Sequence, residues 1–170
     1  MKQAANIVVL AGLLALLAGC AAKQPPLQGL RTETYLPPEL ARARDQIDLG
    51  NPKAASRMLE SWIETHSEED PAMHHALFLK GKALYDQKRY YPALLSYEKL
   101  LDRYAASEHF SATLKQEVEI AKLFLAGAKR RVLGFMKFTA RTDALEILEK
   151  VAQRWPGSEL AVTALMIQAD

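Results

Sequence analysis

Few residues of this 170-residue chain carry side chains that could do chemistry, and their spacing limits what that chemistry would be. Cys20 is the single cysteine, so no internal disulfide can form. His74 and His75 are adjacent; on a helix they point in different directions and do not make the one-face pair that a zinc site uses. His66 and His109 stand at no metal-ligand spacing from them. Glu68, Glu69 and Asp70 read as a solvated loop with a helix cap, not as an acid and base pair. Glycine-rich phosphate loops and nucleophile elbows are missing from the sequence. The expectation is therefore not an enzyme: no catalytic residues, no metal and no cofactor, with the histidines on the surface or in a groove.

Composition bounds the rest. A hydrophobic fraction of 49% and a charged fraction of 25% suit one globular domain with a real core. A formal charge of +2 is too small to argue for nucleic acid or for a strongly charged partner.

Cys20 is explained by the N-terminus. Lys2 is a minimal positive region, Ile7 to Leu17 is an apolar run short for a membrane span, and small residues precede the cysteine. Leu17-Ala18-Gly19-Cys20 resembles a bacterial lipobox. That resemblance implies cleavage before Cys20, diacylation of its thiol and acylation of the freed amine, and several acyl chains anchor where one is marginal. Ala21 resembles an outer-membrane address. Residues 1–19 are thus expected to be a lipoprotein signal peptide and 20–38 a lipidated tether, rich in Gln and Pro.

The elements that must position everything else are clearest between Met73 and Tyr104. Met73, Leu77, Gly81 and Leu84 recur at helical spacing, and Ala76, Leu79 and Ala83 widen the apolar face. A polar connection, Asp86 to Tyr91, leads into a second helix expected to start at Pro92, with Ala93, Tyr97, Leu100 and Tyr104 inward. Gly81 and Ala93 have so little side chain that the two helices can approach closely. With Tyr90 closing the turn, this spacing resembles the tetratricopeptide repeat (TPR).

Weaker copies flank it. In 39–66, Leu40, Ala43 and Ile47, with Leu49 at the margin, precede Gly50; Asn51 and Pro52 start a helix with Ala55, Leu59, Trp62 and His66 inward. In 108–155, Phe110, Leu114, Val118, Ala121 and Leu125 lead to Gly127. An insertion over 128–141 follows, and then Thr142-Asp143 is expected to cap a helix facing inward with Ala144, Leu148, Val151 and Trp155. Residues 159–170 begin a partial repeat with Ser158 as its cap. This half-unit resembles the middle of a first helix, which favours a longer array over one that packs flat on the third pair and stops. The expected fold is all-α: a repeat domain over 39–170 with 39–66, 71–104, 108–155 and the partial unit, about three and a half repeats. The TPR resemblance implies a right-handed superhelix of antiparallel helix hairpins.

Two surfaces stand out as candidates for contact. The TPR resemblance implies a partner-binding groove at His75, Phe78, Lys82, Tyr85 and Asp86, a mixture of aromatic anchors and orienting charges suited to an extended peptide or a helix. The insertion interleaves Lys129, Arg130, Arg131, Lys137 and Arg141 with Val132, Leu133, Phe135, Met136 and Phe138. Such a patch could lie on anionic lipid or grip an acidic partner; the plainer reading is a loop with tucked apolar residues and solvated charges.

Lipobox, tether and helical repeats together resemble the BamD (YfiO) family of outer-membrane lipoproteins, and Arg154-Trp155-Pro156-Gly157-Ser158 is similar to that family's helix ending. The resemblance implies a scaffold of the β-barrel assembly machinery, lipid-anchored at the cell outer membrane and facing the periplasm. Its partners would be proteins such as a BamA-type barrel assembly subunit, with no nucleic acid. The family has about five repeats, more than this chain shows. A TPR lipoprotein for type IV pilus or secretin assembly, or for cell-wall coordination, is the alternative.

Overall fold

The computed structural model describes residues 36–132 and 136–169, and over 129–139 its backbone only. In order come α1 (Pro38–Asp48), α2 (Pro52–Thr65), α3 (Met73–Asp86), α4 (Tyr90–Arg103), α5 (Phe110–Leu125), β1 (Lys129–Val132), β2 (Met136–Thr139), α6 (Arg141–Arg154) and α7 (Glu159–Ala169). The signal peptide 1–19, Cys20 and the tether through residue 35 lie outside the described residues. Among the described residues no helix is long and apolar enough to cross a membrane.

The fold is helical, consistent with the all-α expectation, and carries one short two-stranded addition. The insertion 128–141 holds an antiparallel hairpin in which Lys129 pairs with Thr139 and Val132 with Met136. Val132, Phe138 and Thr139 favour strands, and two such runs close in sequence can pair with each other without a helical partner.

Each helix packs on its neighbours in the chain, and α1 also touches α3 while α5 touches α7. The register of the core is repetitive. Ala55, Ala93 and Ala144 are each fully buried on α2, α4 and α6, and four and seven residues later come buried Leu59 and Trp62, Tyr97 and Leu100, and Leu148 and Val151. Each large side chain so buried contributes roughly 1.5 to 3 kcal/mol. The closest approach is between α3 and α4. A Cβ added to Gly81 would meet the Tyr97 ring, 2.5 Å from Cδ1 and 2.7 Å from Cζ and nearer still to Cε1. Alongside, the Gln87 amide at the end of α3 reaches the Pro52 carbonyl and Ser56 Oγ at 2.9 and 3.0 Å, tying α3 to the start of α2.

Several finer expectations need correction. α4 starts at Tyr90, so Pro92 lies inside its first turn, and the connection narrows to Gln87–Arg89 with Lys88 at φ +60°. α6 starts at Arg141, so Thr142 and Asp143 are already helical. Asn51 donates to Gln46 Oε1 instead of capping α2 with its side chain. Leu49, His66 and Trp155 are exposed, because each falls where its helix has ended and the inward line no longer continues. His66 stacks on Trp62 from outside, centroids 3.9 Å apart. Ser158 does cap α7, accepting from the Ala161 amide at 3.0 Å. Val162, Leu165 and Met166 leave an apolar face of α7 exposed.

Candidate functional site

The first turn of α3 holds His74 and His75, and the residues just before α5 supply Ser107, Glu108 and His109. A tight turn sets the second group: Ser107 Oγ accepts from the His109 amide at 3.1 Å, and the Phe110 amide donates to the Ser107 carbonyl. His109 is then fixed by stacking on Phe78, nearly parallel at 4.3 Å between centroids. Its Nε2 lies 2.8 Å from His75 Nδ1, so one of these two nitrogens carries the shared proton. His74 Nδ1 lies 3.0 Å from Ser107 Oγ. Glu108 Oε1 sits 3.7 Å from His75 Nδ1 and 3.8 Å from His109 Nε2.

Three imidazoles therefore converge, although they stand at no metal-ligand spacing in the sequence. One ligand-type nitrogen from each of His74, His75 and His109 lies within 4.8 Å of the others. Burial lowers the pKa of all three, taking His109 to about 4, and the opposing pull of Glu108 does not reverse it. Burial thus disfavours the charged form of each ring. His75 Nε2 is buried with no hydrogen-bond partner among the described residues.

The sequence hides this cluster because 34 residues separate His75 from His109. One signal could have found it: both stand at the beginning of the first helix of consecutive units, and side-by-side stacking of units brings equivalent ends together.

The residues expected to line a groove continue from the cluster. His75, Phe78, Lys82 and Tyr85 follow one another at spacings of a helical turn on α3, but His75 is buried and unavailable to a partner. Phe78 is half-buried under His109. Lys82 Nζ lies 3.6 Å from Asp48 Oδ1, Tyr85 leans on Tyr90 at 5.4 Å between centroids, and Asp86 is exposed. Of the basic patch, Arg141 is exposed; the side chains of Lys129, Arg130, Arg131 and Lys137 lie outside the described residues.

A second polar group is buried where α5 meets α6. Glu117 is almost fully buried, with Oε2 3.4 Å from Arg154 Nη1 and no hydrogen-bond partner for Oε1 among the described residues. Burial pushes its carboxyl up to about 8 despite Arg154, which also holds Asp102 at 2.5 Å. Nothing in the apolar periodicity of α5 singles Glu117 out.

A scan against protein-family models matches none, and a search of curated proteins finds no relative.

Proposed function

We propose that this chain is a TPR-like scaffold of the BamD type, tied to the outer membrane by lipid on Cys20 and holding segments of envelope proteins on the α3 face. The observation that carries the reading is the threefold recurrence of one buried register, Ala55-Leu59-Trp62, Ala93-Tyr97-Leu100 and Ala144-Leu148-Val151. Identical small-then-large spacing lets successive helix pairs pack in the same way, the condition for a stacked array that presents one continuous face. Phe78, Lys82, Tyr85 and Asp86 on that face combine aromatic surface with both signs of charge. Such a mixture suits an extended or helical peptide whose anchors are desolvated and whose ends are oriented by charge. The Leu17-Ala18-Gly19-Cys20 tetrapeptide supports the anchor.

Mild crosslinking in cells, followed by co-purification on the full chain, tests the partner. Recovery of a barrel assembly subunit, reduced by Tyr85→Ala, is the expected result; secretin or pilus components in its place would move the scaffold to the alternative machinery. Cys20→Ser should release the protein from membranes. Retention of that variant on membranes washed in high salt would count against the lipid anchor.

A further inference from the structure

We propose that His75, His109, Glu108 and His74 bind one divalent transition-metal ion of the zinc class, which fastens the start of α3 to the start of α5. His75 Nδ1, His109 Nε2 and Glu108 Oε1 form a triangle with sides of 2.8, 3.7 and 3.8 Å. The point equidistant from the three atoms falls inside that triangle, about 2 Å from each, which is the length of zinc bonds to imidazole nitrogen and carboxylate oxygen. Imidazole with carboxylate is a donor set that zinc accepts readily.

His74 supplies the fourth ligand. Its ring nitrogen comes within 4.8 Å of those of His75 and His109, wider than the roughly 3.3 Å between neighbouring ligands of a tetrahedral zinc, so the His74 ring must move inward to close the site. Hydrogen bonding to Ser107 and stacking on Phe78 orient His74 and His109, as outer contacts orient the ligands of metal sites. Glu108 Oε1 stands within 3.8 Å of both nitrogens, and an ion between them engages all three atoms.

Such an ion would act as a clip. Its donors come from two dipeptides, His74-His75 and Glu108-His109, which only the folded chain brings together, so binding favours the native state. The position is at the joint between the second and third helix pairs, and the partner test is made at Tyr85 and Cys20, so failure of either leaves the other standing.

The test uses the tag-free full chain, purified in detergent and stripped of metal, titrated with zinc chloride and separately with cobalt(II). One zinc per chain is expected, together with the intense visible absorption of tetrahedral cobalt. A rise in Tm of roughly 5 to 15 °C is expected at free zinc about a hundredfold above Kd. His109→Asn and Glu108→Gln should each weaken zinc binding at least tenfold, while His66→Asn leaves it unchanged. Glu108 is exposed, so its variant keeps the test valid if His109→Asn disturbs packing. A stoichiometry well below one, a pale octahedral cobalt spectrum, or a full zinc response in both Glu108→Gln and His109→Asn would overturn the site.

Discussion

The ring of Tyr97 occupies the space that a Cβ on residue 81 would need, so Gly81 and Tyr97 form a single packing unit across α3 and α4. α3 is also tied to the start of α2 by the contacts of Gln87. Gly81→Ala should therefore cost roughly 1 to 3 kcal/mol by overpacking, seen as a lower Tm in thermal denaturation. The double variant Gly81→Ala with Tyr97→Leu should recover part of that loss, since the smaller side chain vacates the ring's place. A Tm unchanged by Gly81→Ala would refute the contact.

Tyr97 is fully buried, and its hydroxyl has no partner among the described residues. Burial pushes its phenol far above the usual range. Tyr97→Phe keeps the ring that fills the space against Gly81 and deletes only the unmet hydroxyl, so stability should hold or rise by about 1 kcal/mol. Chemical denaturation with an unchanged m-value is the suitable measurement. A clear loss of stability would mean that the hydroxyl is bonded.

Glu117 makes stability depend on pH in the direction opposite to an ordinary carboxylate. Burial takes its folded pKa to about 8, above the ordinary value of 4.5, so the folded chain binds the extra proton between those values. Its contribution is complete below about 4.5, fades as pH rises and is lost above about 8, with a slope of at most about 1.4 kcal/mol per pH unit. The groups facing it are Arg154 and Lys150 on α6, which favour the carboxylate, and Glu98 and Asp102 on α4, which oppose it. Glu117→Gln should remove this component from the difference between denaturation curves taken at pH 5 and pH 8. Identical pH dependence in the two proteins would show that Glu117 ionises normally.

Ser158 satisfies the Ala161 amide at the start of α7. Ser158→Ala should cost about 1 kcal/mol, and amide hydrogen exchange should quicken in α7 before it does in α4. Equal exchange in both proteins would show that the cap does not hold this helix.

Much of the helical order was legible because burial imposes a period. Leu77 with Leu84, Ala93 with Tyr97 and Ala144 with Leu148 recur at helical spacing because one face of each helix must leave water. Helix ends were less legible. Tyr90 extends α4 past the proline expected to begin it, and His66 and Trp155 miss the core by lying one residue beyond their helices. The strand pairing of 129–132 with 136–139 competes with helix through local propensities too weak to read in four-residue runs.

Amino-acid order alone determined which residues of each helix are apolar and where the small ones stand, since these follow from the partition of side chains between water and core. Only the tertiary structure decided which distant groups meet. His75 reaches His109 and Glu117 reaches Arg154 through the stacking of one helix pair on another, and the apolar period of the individual helices marks neither contact. Polar side chains that meet across such joints are selected by distance and burial in space, which no local spacing encodes.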